Sequence, residues 1–282
     1  MFTGLSAFPL TPLDDTGAID ERALQLLVTR LAEAGVHSIG ALGSTGSYAY
    51  LTRAERARVA RLAVGAAGGV PVMIGIGAVR TEHVIEHAHD AQQAGAAAVM
   101  LAPVSYQPLT DDEVYGLYAD VTAELSVPLC VYDNPGTTRF AFSDALHARV
   151  AGLAGVAAIK LPGDGAAERT GALRPLVPAS VAIGVSGDQF AAGALDAGAD
   201  VWFSVVGGLF PELALAIVRE GGPASARLEP LWALFRRYGG LRVVATAASL
   251  LGLAGARNLP RPLRLLDGDA RTEVEAVLRG LG

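Results

Sequence analysis

Along most of its length the chain repeats one alternation: a short, continuous apolar run followed by a longer stretch with helical spacing. The apolar runs are GLSAFPL (4–10), SIGALG (38–43), PVMIGIG (71–77), AAVMLAPV (97–104), PLCVYD (128–133), VAAIKL (156–161), VAIGVSG (181–187) and VWFSVV (201–206). Helix-like segments follow them at 20–34, 52–67, 81–94, 111–124, 143–151, 167–176, 189–197 and 211–219. Runs that are apolar throughout fit strands buried on both faces, as parallel strands covered by helices are. Thr52, Thr110 and Ser143 stand where helix caps belong, and Gly35, Gly95 and Gly198 where helices stop. Eight such units confine the chain to an α/β fold, with the (β/α)8 TIM barrel as the expected form.

The rival is an open, doubly wound sheet, which normally carries a Gly-rich phosphate loop after an early strand. Here GIGAVR (75–80) matches only half of G-x-G-x-x-G. Residues 1–222 are read as the barrel. Residues 223–282, with three further helical patterns and no strand, are read as a C-terminal helical extension packed on it as part of one structural unit.

Charge and composition exclude several partners. The net charge is −6 and the arginines are scattered, so no basic stripe is available for nucleic acid. Their densest group, RAERARVAR (53–61), has the spacing of a solvated helix face. The single Cys130 rules out an intramolecular disulfide and fits a reducing compartment. No basic segment followed by an apolar run opens the sequence, and no stretch approaches the ~20 apolar residues of a membrane span. A cytoplasmic protein with no membrane partner is expected.

In a barrel the working face is the C-terminal end of the strands. Lys160 ends the sixth run and is the only lysine; every other basic position among the 22 Lys and Arg is arginine. Tyr132 ends the fifth run, at the same expected height. Two readings of Lys160 stand side by side. Burial disfavours an ammonium, and a neutral amine attacks carbonyls to form a Schiff base, which arginine does not do. Alternatively, a strand-end lysine extends its amine to solvent. Tyr132 is either a proton shuttle or a core tyrosine with a backbone partner. GSTG (43–46) offers hydroxyls and loop amides suited to a carboxylate, or is an ordinary turn.

Other features are set aside. His83 and His87 in TEHVIEHAHD (81–90) have the spacing of a helical metal site, but an outer helix presenting a solvated polar face is the better reading, so no metal is expected. His37 and His147 are read as helix-end residues without partners in sequence. Cys130 shares the strand parity of Tyr132 and is read as a small buried hydrophobe.

Taken together, these residues resemble the dihydrodipicolinate synthase/N-acetylneuraminate lyase family of class I, Schiff-base aldolases. The resemblance runs through AFPLTPLDDTGAID (7–20), GSTGSYAYLTRAER (43–56), PVMIGIGA (71–78), APVSYQP (102–108), VPLCVYDNPGTT (127–138), VAAIK (156–160), VSGDQ (185–189) and GADVWFSV (198–205). Its specific part is the Tyr-x-x-Pro and the lysine 28 residues after the tyrosine. The resemblance implies a barrel with a helical extension, assembled as a homo-oligomer, dimer or tetramer. It implies that Lys160 forms an imine with pyruvate or another 2-oxo acid, that Tyr132 shuttles protons and that Ser44 relays them. Thr45 with the amides of Gly43 and Gly46 would hold the carboxylate. Thr137, Arg139, Ser105, Tyr106, Ser186, Gly187 and Phe203 would line the rest of the substrate site. No metal or organic cofactor is implied, because the protonated imine is itself the electron sink.

Several positions depart from that family. Thr137 stands where synthases carry an arginine for the second substrate's carboxylate, with Arg139 two positions later. Ser47 and Tyr48 follow the loop where glutamate is usual, Ser105 replaces a tyrosine with Tyr106 beside it, and Leu161 replaces an acidic residue. The expected activity is therefore cleavage, condensation or dehydration of a 2-keto-3-deoxy-acid-type substrate, with dihydrodipicolinate synthesis weak or absent. The alternatives are a genuine 4-hydroxy-tetrahydrodipicolinate synthase, a 2-oxo-acid-binding sensor without turnover, and a pyridoxal phosphate barrel, which lacks a phosphate-binding loop.

Overall fold

Eight parallel strands close into a barrel in sequence order, and β8 pairs back onto β1 from Gly4↔Val201 to Ala7↔Ser204. The computed structural model describes residues 1–281, so Gly282 of the expected extension lies outside the described residues. In chain order the elements are β1 (Gly4–Ala7), α1 (Glu21–Ala34), β2 (Ser38–Ala41), α2 (Arg53–Ala66), β3 (Val72–Gly75), α3 (Thr81–Gln93), β4 (Ala98–Leu101) and α4 (Asp111–Thr122). They continue with β5 (Leu129–Tyr132), α5 (Pro135–Thr138), α6 (Asp144–Ala151), β6 (Val156–Leu161), α7 (Ala166–Leu173), β7 (Ala182–Val185), α8 (Ala191–Asp196) and β8 (Val201–Ser204). The chain then adds α9 (Pro211–Glu220), α10 (Gly222–Arg227), α11 (Glu229–Tyr238), α12 (Gly240–Leu250) and α13 (Gly268–Leu281).

Closure decides against the open sheet, and the local chemistry explains the element ends. Thr52 and Thr110 each form a reciprocal capping box, with Glu55 and Glu113, and the Ser143 hydroxyl accepts from the Leu146 amide. Most strands are shorter than their apolar runs. Their last residues, such as Phe8–Leu10 and Ala102–Val104, leave the ladder to build the loops of the barrel mouth. From residue 222 onward the described residues form four helices instead of the three expected. Pro230 lacks an amide hydrogen, so it ends the α10 pattern and opens α11 within its first turn.

The apolar runs fill two layers. Phe8, Met73, Met100, Cys130, Tyr132 and Phe203 point into the barrel, while Val131, Ile159, Leu161, Ile183 and Trp202 face the helices. Each fully buried aliphatic side chain of this kind stabilises the fold by roughly 1.5–3 kcal/mol. The inner layer requires glycine below its largest members: a Cβ on Gly40 would stand 2.3 Å from the Phe8 ring, and one on Gly184 would stand 2.4 Å from Phe203. Gly75, the first glycine of the half-matched phosphate motif, has another reason to be there, because a Cβ on it would lie 1.9 Å from the Leu42 carbonyl oxygen.

Three sequence expectations change. Arg56, inside the group read as solvated, is buried and donates from Nη1 to the Gly77 carbonyl and from Nη2 to the Gly75 carbonyl, both at 2.9 Å. Burial brings its guanidinium down to about 10, and the Tyr48 ring lies 5.2 Å away. His37 is partnered: its Nδ1 accepts from the Leu5 amide at 3.1 Å. His147 lies inside α6, fully buried, stacked on Phe142 and facing Asp133 and Arg169. On α3, Glu86 and Asp90 pair with Arg53, and no group of three or more His, Cys, Asp or Glu among the described residues could hold a metal ion.

Candidate active site

The ladder between β5 and β6 sets Tyr132 directly opposite Lys160, and the next ladder sets Lys160 opposite Gly184. Strand parity turns both side chains into the barrel. The Lys160 amine lies 4.1 Å from the ring centres of Phe8 and Tyr132 and 5.4 Å from that of Phe203. Only 4% of the residue is exposed, and it makes no ion pair among the described residues. Aromatic faces attract an ammonium weakly compared with the water it has lost. Burial therefore brings this amine down from 10.5 to about 8.

The Tyr132 hydroxyl has two partners, Ser44 Oγ at 3.3 Å and Asn134 Nδ2, which donates to it at 2.9 Å. Burial raises its pKa, and these two hydrogen bonds oppose the rise. Ser44 opens the β2–α2 loop, whose entry is strained: Leu42 has φ +57° and Ser47 φ +53°. A non-glycine residue in that region costs about 1–3 kcal/mol. The close pass of the Leu42 carbonyl over Gly75 holds the turn down against β3. Thr45 and Gly46 are buried, and their amides have no backbone acceptor among the described residues. Adjacent free amides of this kind make a concave site for an anion.

The remaining expected site residues divide. Phe203 forms part of the wall around the amine, and Gly43 packs beneath Phe8. Ser186 is committed elsewhere, since its hydroxyl and its amide both donate to the Leu161 carbonyl at 2.9 Å. Gly187, at φ +79°, turns the chain against Gly163. Thr137 and Arg139 are exposed on and after α5, Arg139 at φ +58° and without an ion pair among the described residues. Ser105 is half-buried and Tyr106 is 90% exposed. None of these four hydrogen-bonds to Lys160, Tyr132 or Ser44.

Three residues of the site were not singled out from the sequence. Phe8 lies against the amine, and its signal was a large aromatic at the exit of the first strand. Asn134 lies two residues beyond Tyr132 and so shares its inward parity. Asp188, in the loop after β7, is buried and accepts from Trp202 Nε1, Ser204 Oγ and the amides of Val205 and Val206 at 2.9–3.1 Å. Burial pushes it up to about 6 against those four donors, and it binds the exits of β7 and β8 together.

Behind the same strands lies a second buried charge. Asp133, 1% exposed, accepts from Arg169 Nη1 at 3.2 Å and lies 3.6 Å from His147 Nε2. His147 is held down to about 3, chiefly by burial, so it stays neutral near pH 7. A cleft of about 1060 Å³ opens elsewhere, between the β1–α1 loop and residues 256–271, with Arg257, Arg261, Asp14 and Asp267 in its wall. It contains neither Lys160 nor Tyr132, so the chemistry points to the barrel mouth. No helix among the described residues is long and apolar enough to cross a membrane.

Comparison with known proteins agrees with this geometry. A dihydrodipicolinate synthase from Agrobacterium tumefaciens is 44% identical in sequence and superimposes with a TM-score of 0.96 over 100% of this chain and 98% of that one. An uncharacterized DapA-like lyase from Halobacterium salinarum is 30% identical over 97% of this chain and 92% of its own. A 4-hydroxy-tetrahydrodipicolinate synthase from Methylococcus capsulatus is 34% identical over 64% of this chain and 61% of its own. The model of the dihydrodipicolinate synthetase family matches residues 1–281. The chain belongs to the dihydrodipicolinate synthetase family and is an enzyme of the lyase class.

Proposed function

We propose that the chain is a class I lyase in which Lys160 forms a Schiff base with the keto group of pyruvate or another 2-oxo acid. The substrate is of the 2-keto-3-deoxy-acid type, which the enzyme cleaves, condenses or dehydrates. One observation carries this reading: a buried amine that makes no ion pair among the described residues, one ladder step from a hydroxyl that is bonded to Ser44. With its pKa near 8, about a tenth of the amine is neutral at pH 7, against well under a thousandth for an ordinary lysine.

The amine attacks C2 of the 2-oxo acid to give a carbinolamine. Tyr132 protonates the departing hydroxyl, water leaves, and the iminium forms. That cation draws electrons from C3, so a C3–H or C3–C4 bond breaks to give the enamine, and the reverse sequence releases product. Ser44 relays protons to and from Tyr132. The free amides of Thr45 and Gly46 support a carboxylate seat beside it. Borohydride added with pyruvate should attach a reduced adduct to Lys160, read by peptide mass; a folded sample without that adduct overturns the proposal.

A second reading, genuine 4-hydroxy-tetrahydrodipicolinate synthase, is favoured by the 44% identity to the Agrobacterium enzyme. Against it, the exposed Thr137 cannot offer the paired donors of a guanidinium to a second carboxylate. Turnover of pyruvate with aspartate semialdehyde at ordinary enzyme rates would install this second reading in place of the first. We further propose that residues 223–282 serve as an extension of the barrel, because α10 packs on α8 and α9 and α11 packs on the turn carrying Asp188. The family resemblance supports a dimer or tetramer working in the cytoplasm, and sedimentation of the purified chain checks the assembly.

A further inference from the structure

Asn134 has a polar group committed to the site but no role in the mechanism above. Its Nδ2 donates to the Tyr132 hydroxyl at 2.9 Å. An amide nitrogen only donates, so the Tyr132 oxygen accepts from Asn134 and its one proton is left for Ser44, 3.3 Å away. The backbone that carries this amide is fixed: the main-chain carbonyl of Asn134 accepts from the amides of Thr137 and Thr138 and from the Thr138 hydroxyl, all at 3.0 Å. The preceding residue is fixed as well: the Asp133 amide donates to the Lys160 carbonyl at 3.0 Å, and its carboxylate is clamped by Arg169.

We propose that Asn134 is a positioning residue that stabilises the Tyr132 phenolate formed between the two proton transfers of the Schiff-base reaction, a role that rests on the function proposed above. The charges balance at each step. Carbinolamine and Tyr132 phenol give iminium, water and phenolate; the phenolate then takes a C3 proton from the iminium, giving enamine and phenol. The negative charge exists only between these steps, on the oxygen that Asn134 faces, and a preset donor aimed at a developing charge lowers the barrier. Nothing in this path needs a hydroxyl from Tyr106, which projects into solvent.

The test uses the full chain with pyruvate alone, reading exchange of the C3 protons for deuterium by NMR and borohydride labelling of Lys160 in parallel. Asn134→Leu removes the donor and should slow exchange about tenfold, the loss of one hydrogen bond to a charged group. Asn134→Asp keeps the shape but supplies only acceptors and a negative charge, and should slow exchange further, to about a hundredth of the wild-type rate. Endpoint labelling of Lys160 should persist in both variants, which also shows that they fold. A residue needed only for packing gives the opposite order, so exchange in Asn134→Asp equal to or above that in Asn134→Leu overturns the inference. So does wild-type exchange in Asn134→Leu. A labelled wild type with the wrong order sinks only the role of Asn134, whereas an unlabelled wild type sinks the Schiff-base reading and this one with it.

Discussion

Lys160 on β6 and Asp133 just after the neighbouring β5 are both buried charged residues, and the Asp133 amide donates to the Lys160 carbonyl, yet they face opposite sides of the barrel wall. Inside, Lys160 meets three aromatic rings and, among the described residues, makes no ion pair, the buried Asp188 carboxylate acting on it only from a distance. Outside, Asp133 meets Arg169, with His147 beside it. An unpaired buried charge sheds that charge easily and becomes reactive, whereas a paired one becomes a structural joint. The same backbone therefore carries the proposed nucleophile on one face and, on the other, a charge-paired joint next to Tyr132.

That contrast predicts opposite responses to removal. Arg169→Ala leaves Asp133 buried without its cation and should cost about 3–5 kcal/mol of unfolding free energy, measured by denaturant titration; a loss below about 1 kcal/mol would show that water compensates Asp133 and that the joint is ornamental. Lys160→Met should act the other way, raising stability by about 3 kcal/mol at pH 7, because a shift from 10.5 to about 8 is the cost of holding the ammonium. The same substitution abolishes borohydride labelling. A destabilised Met variant would mean that the aromatic walls repay the buried charge.

The smallest effect is in pH. The folded chain holds the Lys160 proton less tightly than the unfolded chain, so the penalty is complete below about pH 8 and fades as pH rises from about 8 to 10.5. Wild-type stability relative to Lys160→Met should rise across that window. Initial labelling of the amine by pyruvate should increase about tenfold from pH 7 to 9 and then level off. A labelling rate still climbing at pH 10 would place the amine in an ordinary aqueous setting.

The outer architecture was readable because its causes are local. Threonine caps, glycine stops and continuous apolar runs each act within a few residues, and all eight strands and every helix between them except the short α5 follow from them. Lys160 and Tyr132 could be brought face to face once strand order was known, since parallel neighbours ending together share a height. What escaped was whatever depends on partners far away in sequence. His147 looked solitary because Arg169 approaches it from α7 and Asp133 from the end of β5. Arg56 looked solvated because the carbonyls of Gly75 and Gly77, which receive it, belong to another unit. Asn134 was passed over for a subtler reason. Its spacing gave the correct parity, but only the fold of α5 beyond Pro135 turns its amide back toward Tyr132.

The solitary ε-amine has a use apart from chemistry on carbonyls. An amine-directed reagent meets only two kinds of target in this chain, the N-terminus and Lys160. The first is at the chain end and the second is enclosed by Phe8, Tyr132 and Phe203. The second addition seen in an intact-mass time course therefore times how often the barrel mouth breathes open. The molecule carries its own clock for the opening of the site, with no probe to be introduced.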